Sequence, residues 1–481
     1  MFRKILNKYK NFSLPVKAAF WYTLCNFFNK GLSLLSTPIF TRLMSVEDYG
    51  TFVIFQSWFS IIIIFTSLNM FMSGYTKGLI LYEKDRKKFS SSLLGLTTTL
   101  TIGLLIAYVI NMDFFTNLFE LSPYLMIFMF LELLFMPALE FWMAEQRFDY
   151  KYKNVIFVSA GMNFICLLVS VISVVIFKDK ISARVISDVL SKVLFGLVIF
   201  VIIFKSGKKY YDKKYWNYSL KFNIPLLPHY LSNYVLSQSD RIMIAKMVGK
   251  VQSAYYSVSY SISNVLLLLV LALNNALTPF IYKSIKTNKI KEINKIVTPS
   301  ILLVGLISIL VMALAPEVVY VFAGNKYMEA VKVIPPVAAS VYFIYIYSMF
   351  SNVEYYYQKN VLIAFATTIS AGLNLVLNYI FIKKYGYVAA GYTTLVCYIL
   401  LSLLHFIFYK KIIKKELPGI KNIFNNTVIL IVSIFIMFFM ISMAYLYNSI
   451  FRYVVLLLSV LILIIFRKKI FEIYNGIKNS K

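Results

Sequence analysis

Along this chain, long apolar runs alternate with short polar gaps fourteen times over. The runs span approximately 18–40, 49–72, 90–110, 120–142, 154–177, 182–204, 222–248, 255–279, 296–315, 332–352, 361–382, 387–409, 423–447 and 452–466. Most reach the roughly 20 helical residues needed to cross a hydrocarbon core about 30 Å thick. They lack the period-two alternation of a membrane barrel, so strands are excluded. The pattern predicts an all-α polytopic membrane protein of about 14 transmembrane helices.

An even number of spans puts both termini on one side, and the basic residues choose that side. The N-terminal tail, the even-numbered loops and the C-terminal tail hold 35 Lys and Arg, whereas the odd-numbered loops hold 8, counting Arg452 with the last of them. The excess places both termini in the cytoplasm of a cell membrane. Lys383 and Lys384 run against the bias, being on the outer side.

Composition narrows the class further. Hydrophobic residues make up 60% of the 481 and charged ones only 14%, too little polar surface for a soluble domain. The net charge of +29 is scattered in short clusters between apolar runs, which suits anionic headgroups rather than nucleic acid. Cys25, Cys166 and Cys397 each stand alone in an apolar run and read as small hydrophobes, so no metal site is expected. The basic start "MFRKILNKYK" leads into an apolar run without a small-residue cleavage site, and reads as a retained first span. No loop is long enough for a soluble catalytic domain, and no GxxxxGK[ST] is present to cradle a nucleotide.

The gap between the first two spans, "TPIFTRLMSVEDYGTF" (37–52), concentrates Arg42, Glu47, Tyr49 and Gly50 in an outer hairpin. "AKMVGKVQSAYYSVS" echoes it 204 residues later, where Lys246 meets Arg42 and Ala254 meets Gly50. Six spans separate the copies, so the two halves run in the same direction and would be related by an axis along the membrane normal. The division expected is 1–220 for spans one to six, 221–410 for spans seven to twelve, and 411–481 for two further spans with a basic cytoplasmic tail.

With its fourteen spans, the first hairpin and its partner "SDRIMIAKMVGKVQSAYYSVSYS", the chain resembles the Wzx-type polysaccharide flippases. These belong to the MOP superfamily, with the MATE exporters and MurJ. The resemblance implies two six-helix bundles in a MATE-like V, plus two C-terminal helices. It also implies alternating-access movement of undecaprenyl-diphosphate-linked oligosaccharide from the inner to the outer leaflet, for capsule, O-antigen or similar surface polymer. Membrane lipids and polysaccharide-assembly proteins such as a polymerase are the implied partners.

Charges retained inside a bilayer must be paired, wetted or bound to a ligand. The interior set is Lys30, Glu132, Glu140, Arg184, Asp188, Lys192, Asp240, Arg241 and Lys246. Five basic against four acidic leans toward an anionic substrate, with Lys30, Arg184, Lys192, Arg241 and Lys246 as candidate ligands of phosphate or acidic sugar. Lys30 has no acid within a helical turn; it reads either as a lumen cation for a diphosphate or as half of a structural pair with Glu132. Arg184, Asp188 and Lys192 at i, i+4, i+8 form one stripe, either a self-neutralising ladder or a lumen wall. Asp240 and Arg241 point about 100° apart on span seven, so they cannot simply pair with each other. Glu132, Asp188 and Asp240 are candidates for charge pairing or for coupling to Na⁺ or H⁺. His229 and His405 read as satisfied bundle residues rather than proton relays. Pro137, Pro225 and Pro228 are candidate hinges or static kinks.

Two other functions remain open. An exporter of cationic drugs would share the fold but prefer an acidic or aromatic lumen. A membrane glycosyltransferase or polymerase would need a general base and a larger outer loop; the longest, 316–331, holds Glu317, Lys326 and Glu329 but no His or Arg, so an enzyme is not expected.

Overall fold

The computed structural model describes residues 13–447 except position 73, together with 452–454, 456–458 and 461. The basic N-terminal segment, most of the fourteenth run and the tail beyond it lie outside the described residues. All regular structure among the described residues is helical. In hydrocarbon a helix is what lets a single segment satisfy its own backbone polar groups.

The first thirteen apolar runs each become one helix. In unit 1, Met1–Tyr234, these are α1 (Leu14–Leu43), α2 (Val46–Ser67), α3 (Arg86–Ile110), α4 (Pro123–Phe148), α5 (Tyr152–Ile176), α6 (Lys180–Gly207) and the start of α7 (Leu227–Met247). In unit 2, Val235–Lys481, α7 continues into α8 (Lys250–Lys286), α9 (Ile290–Ala313), α10 (Ile334–Tyr356), α11 (Asn360–Tyr385), α12 (Val388–Glu416) and α13 (Asn426–Leu446). Eleven of these are apolar enough by themselves to cross a bilayer; α1 and α7, which carry Lys30 and the Asp240–Arg241 pair, are not among the eleven.

The connections carry the internal repeat more clearly than the residues do. Helices α1 and α2 are joined by Met44 and Ser45 alone, α7 and α8 by Val248 and Gly249 alone. The connection after the third helix of each set of six contains a short helix, Met112–Phe119 in the first and Ala315–Ala323 in the second. The second of these lies in the segment 316–331, read from sequence as a loop, and is followed by a 3₁₀ stretch, Asn325–Val333.

Local chemistry explains the hairpin at 37–52. Ser45 accepts a hydrogen bond from the Asp48 backbone N–H at 3.0 Å and donates to the Asp48 carboxylate at 2.7 Å. That caps α2, and Glu47 and Asp48 in its first turn complement the helix dipole. Arg42, in the last turn of α1, donates to the Pro38 carbonyl at 3.0 Å. Tyr49 and Gly50 are buried. The hairpin residues thus build a tight helix-to-helix turn.

The prolines divide. Pro137 lies inside α4. Pro225 sits in a 3₁₀ turn, Ile224–Leu226, and Pro228 in the first turn of α7. A helix, Lys213–Asn223, runs directly into that turn, so the two prolines lie where a continuing helical path is interrupted and their missing N–H groups break its hydrogen-bond ladder.

One close approach positions a functional pair. Gly196 of α6 faces α4, and a Cβ there would stand 2.8 Å from the Phe135 carbonyl oxygen. Absence of that Cβ lets the two helices touch along their backbones, as small residues do between membrane helices. One turn away, the same contact brings Lys192 to Glu132.

Candidate functional site

In unit 1 the stripe on α6 is a ladder extended by α4. Arg184 meets Asp188 at 3.2 Å, Asp188 meets Lys192 at 2.7 Å, and Lys192 meets Glu132 at 2.9 Å. Glu132 has no exposed surface, and Arg184 and Asp188 are buried. Gln56 of α2 donates to Asp188 at 3.4 Å, and Arg184 donates to the Ser170 hydroxyl of α5 at 2.9 Å. The Arg184 guanidinium is sandwiched between Phe40 of α1 and Phe52 of α2, 4.1 Å from each ring centroid. Two cations and two carboxylates leave the ladder neutral, and it ties α4 and α6 together. Glu132, the alternative structural partner of Lys30, is thus taken by Lys192. Sequence spacing showed the three residues on α6; the fourth came from a helix sixty residues away.

Lys30 has a different setting. It is exposed, and among the described residues it forms no ion pair. Thr23, Asn26, Lys30 and Ser33 are all exposed and fall within a wedge of about 80° on α1, at 100° per residue. Cys25 and Asn29, beside that wedge, face the packing side: Asn29 donates to Ser159 of α5 at 2.8 Å. Leu24, Phe28 and Leu35 occupy the far side and are exposed. The helix therefore has a packed face, an apolar face suited to lipid and a polar face suited to water or a polar ligand. Lys30 is the cation of that polar face.

In unit 2 one buried acid is Asp240 on α7, 1% exposed. Its carboxylate accepts from Asn378 of α11 at 2.6 Å, from Thr394 of α12 at 2.8 Å, and from the Tyr256 hydroxyl of α8. Asn374 extends the cluster, donating to Thr394 at 3.2 Å and accepting from Asn378 at 3.2 Å, while Thr393 donates to the Asn378 side-chain oxygen. Arg241, next in sequence, turns away: it donates to Gln238 at 3.0 Å and lies 4.7 Å over the Tyr260 ring. Lys246 is exposed near the end of α7. Among the described residues, the hydrogen bonds to Asp240 thus come from neutral donors. Two side-chain amides one turn apart in an apolar run, "LNLVLNYI", were the sequence signal for this cluster.

The two histidines also differ. His229 is partly exposed beside Asn233, at 3.3 Å. His405 of α12 is fully buried, with Nδ1 2.8 Å from Glu354 of α10. Glu354 escaped the sequence reading because the tenth run was ended at residue 352.

Comparisons agree with the helix pattern. The sequence profile described as polysaccharide biosynthesis protein matches residues 16–285, and the MatE profile matches residues 225–380. A protein of the Haemophilus influenzae Lsg locus is 24% identical over 356 residues, covering 71% of this chain and 85% of its own. The lipid II flippase MurJ in an inward closed conformation superposes with a TM-score of 0.69 at 17% identity, over 93% of this chain and 99% of its own. An inward-facing multidrug resistance MATE family transporter of the MOP superfamily gives 0.62 at 12% identity, over 81% and 96%. At those identities the two structures establish a shared fold.

Proposed function

The chain belongs to the polysaccharide biosynthesis protein family of multi-pass membrane proteins, with the MurJ and MATE fold, and from that premise we propose that it flips undecaprenyl-diphosphate-linked oligosaccharide from the inner to the outer leaflet. Family and fold are of transporter rather than enzyme type. The observation that carries the reading is Lys30, a mid-helix cation on an exposed polar stripe, beside interior charges of unit 1 that neutralise one another. A diphosphate meeting such a surface gains a counter-ion without the protein having to break a pair. Asn26 and Ser33 offer hydrogen bonds to sugar hydroxyls along the same stripe, and the polyprenyl chain stays in the bilayer. Arg184 and Lys192 serve as ladder members; Arg241 and Lys246 are further cations for the anionic substrate.

The protein works in the bacterial cytoplasmic membrane with both termini in the cytoplasm, handing its cargo to a polymerase or other assembly protein. Alternating access needs a driving ion, and Asp240 is one buried acid that can bind it. The Asp240 carboxylate accepts from the Asn378 amide N–H and the Thr394 hydroxyl, so a proton can sit on the carboxylate as it stands, and a hard cation such as Na⁺ would need the Asn378 amide turned so that its oxygen replaces the N–H. Neutral donors hold the carboxylate in place without cancelling its charge, and that leaves the charge available to a mobile ion.

The test is mass spectrometry of lipid-linked glycans in a strain lacking the chain, with surface polymer assayed in parallel. Accumulated undecaprenyl-diphosphate oligosaccharide, reversed by wild type and not by Lys30→Ala, is the expected result. Normal glycans with heightened drug sensitivity would replace the flippase by the exporter, the reading that the MatE profile over 225–380 favours.

A further inference from the structure

Among the buried acids, Glu354 stands apart. Glu132 has a lysine, Asp188 has a lysine and an arginine, and Asp240 has three neutral donors. Glu354 has one partner, His405, which is itself titratable. Both side chains are completely buried, Oε1 and Nδ1 lie 2.8 Å apart, and the outward atoms, Glu354 Oε2 and His405 Nε2, have no hydrogen-bond partner. The pair sits in the most extensive helix contact of unit 2, between α10 and α12, whose buried residues include Phe350, Leu401 and Phe408.

Charge counting gives the consequence. A neutral imidazole beside a carboxylate leaves one uncompensated negative charge in an apolar core. One added proton makes the pair neutral, whether it rests on nitrogen or on oxygen, and the two sites then titrate as a unit. Among the described residues no fixed cation forms an ion pair with Glu354. Titratable groups beside the pair are Tyr347, whose ring stacks on His405 at 5.5 Å, Tyr355, next to Glu354 in α10, and the buried Tyr409, one turn from His405 on α12. Of the charged groups on the packed helices, Lys283 and Lys286 of α8, Lys291, Glu292 and Lys295 in the first turns of α9, and Lys411, Lys414 and Lys415 near the end of α12 are exposed, and Lys410 of α12 is bonded to Asn422 and the Lys421 carbonyl. On α11, Lys383 and Lys384 are at the opposite end of the helix from the connection to α10.

The route to water is short. Glu354 is two residues from the end of α10, and its carbonyl accepts from the Lys359 N–H at 2.9 Å across the 357–359 connection. That turn is the part of the chain nearest to Glu354 that leads to the end of the bundle.

We propose that His405 and Glu354 together form a proton-binding site, loaded from water beside the 357–359 connection, and that its occupancy makes substrate movement proton-linked. The first half stands on the pair's geometry; the second rests on the transport reading above. In the binding step one proton moves from water onto the pair, and no other bond is made or broken.

The chain has only two histidines, so ¹⁵N-histidine labelling in lipid nanodiscs gives two imidazoles, and His229→Asn leaves one. The expected result is that the His405 signals respond to pH in the wild type, and that Glu354→Gln removes or displaces the response. Flat His405 signals, or a titration identical in Glu354→Gln, overturn the site. For coupling, flipping of lipid-linked oligosaccharide by reconstituted full-length chain is compared with and without an imposed pH gradient. The ratio exceeds one for wild type and falls to one for Glu354→Gln and for His405→Gln; an undiminished ratio in both overturns the coupling. A titrating His405 in a protein that flips nothing under any condition supports the site and brings down the transport reading instead.

Discussion

In unit 1, Glu132 and Asp188 are buried against Lys192 and Arg184, and the four charges sum to zero. In unit 2, Asp240 is buried as deeply, against an asparagine, a threonine and a tyrosine. Both arrangements keep a carboxylate in a membrane bundle, but they solve different problems. A fixed counter-ion makes the charge permanent and ties helices together. Neutral donors orient the carboxylate and leave its charge open to exchange.

The sharpest way to break that contrast is to make the ladder resemble the other cluster. Lys192→Met leaves Glu132 buried without its cation and is expected to cost about 3–5 kcal/mol, read as a lowered Tm in detergent. Adding Glu132→Gln should recover most of the loss, since Arg184 and Asp188 still balance. An unchanged Tm in the single variant would mean that the ladder does not hold α4 to α6. Next in size is Gly196→Val, which pushes a side chain onto the Phe135 carbonyl and should cost about 1–3 kcal/mol. Because it moves the same helix contact, its effect should not add to that of Lys192→Met; simple additivity would separate the glycine from the pair.

Unit 2 should respond in the opposite way. Thr394→Val removes one donor from Asp240 and is expected to cost about 1.5 kcal/mol. Asp240→Asn removes the charge itself, so stability should hold or rise. If the driving ion is Na⁺, sodium raises the wild-type Tm by mass action, and Asp240→Asn abolishes that rise. A sodium response retained in the variant would put the ion elsewhere. The smallest effect on folding belongs to Lys30→Ala, within about 0.5 kcal/mol for an exposed residue, even though transport should fall sharply. A large loss of stability there would make Lys30 a structural residue after all.

Much of the architecture was readable from the chain because bilayer thickness and backbone hydrogen bonding are severe, local constraints. Thirteen apolar runs became thirteen helices, and Ser45 with Asp48 marks the start of α2 in the letters themselves. The i, i+4, i+8 stripe on α6 was equally legible, being set by helix pitch. Spacing along one helix, however, says nothing about which residue arrives from another. Glu132 could be drawn beside Lys30 or beside Lys192 with equal ease until α4 and α6 were seen to meet at Gly196. The Asp240 cluster was half visible for the same reason: the acid stood out in an apolar run, while its partners on α8, α11 and α12 are ordinary polar residues scattered over more than a hundred positions.

What the sequence by itself determined is therefore the set of membrane helices, their order and the repeated pattern of tight connections, because each follows from neighbours in the chain. Only the tertiary structure decided which buried charges are cancelled and which stay open. That outcome turns on contacts of about 3 Å between helices, and no local pattern encodes them.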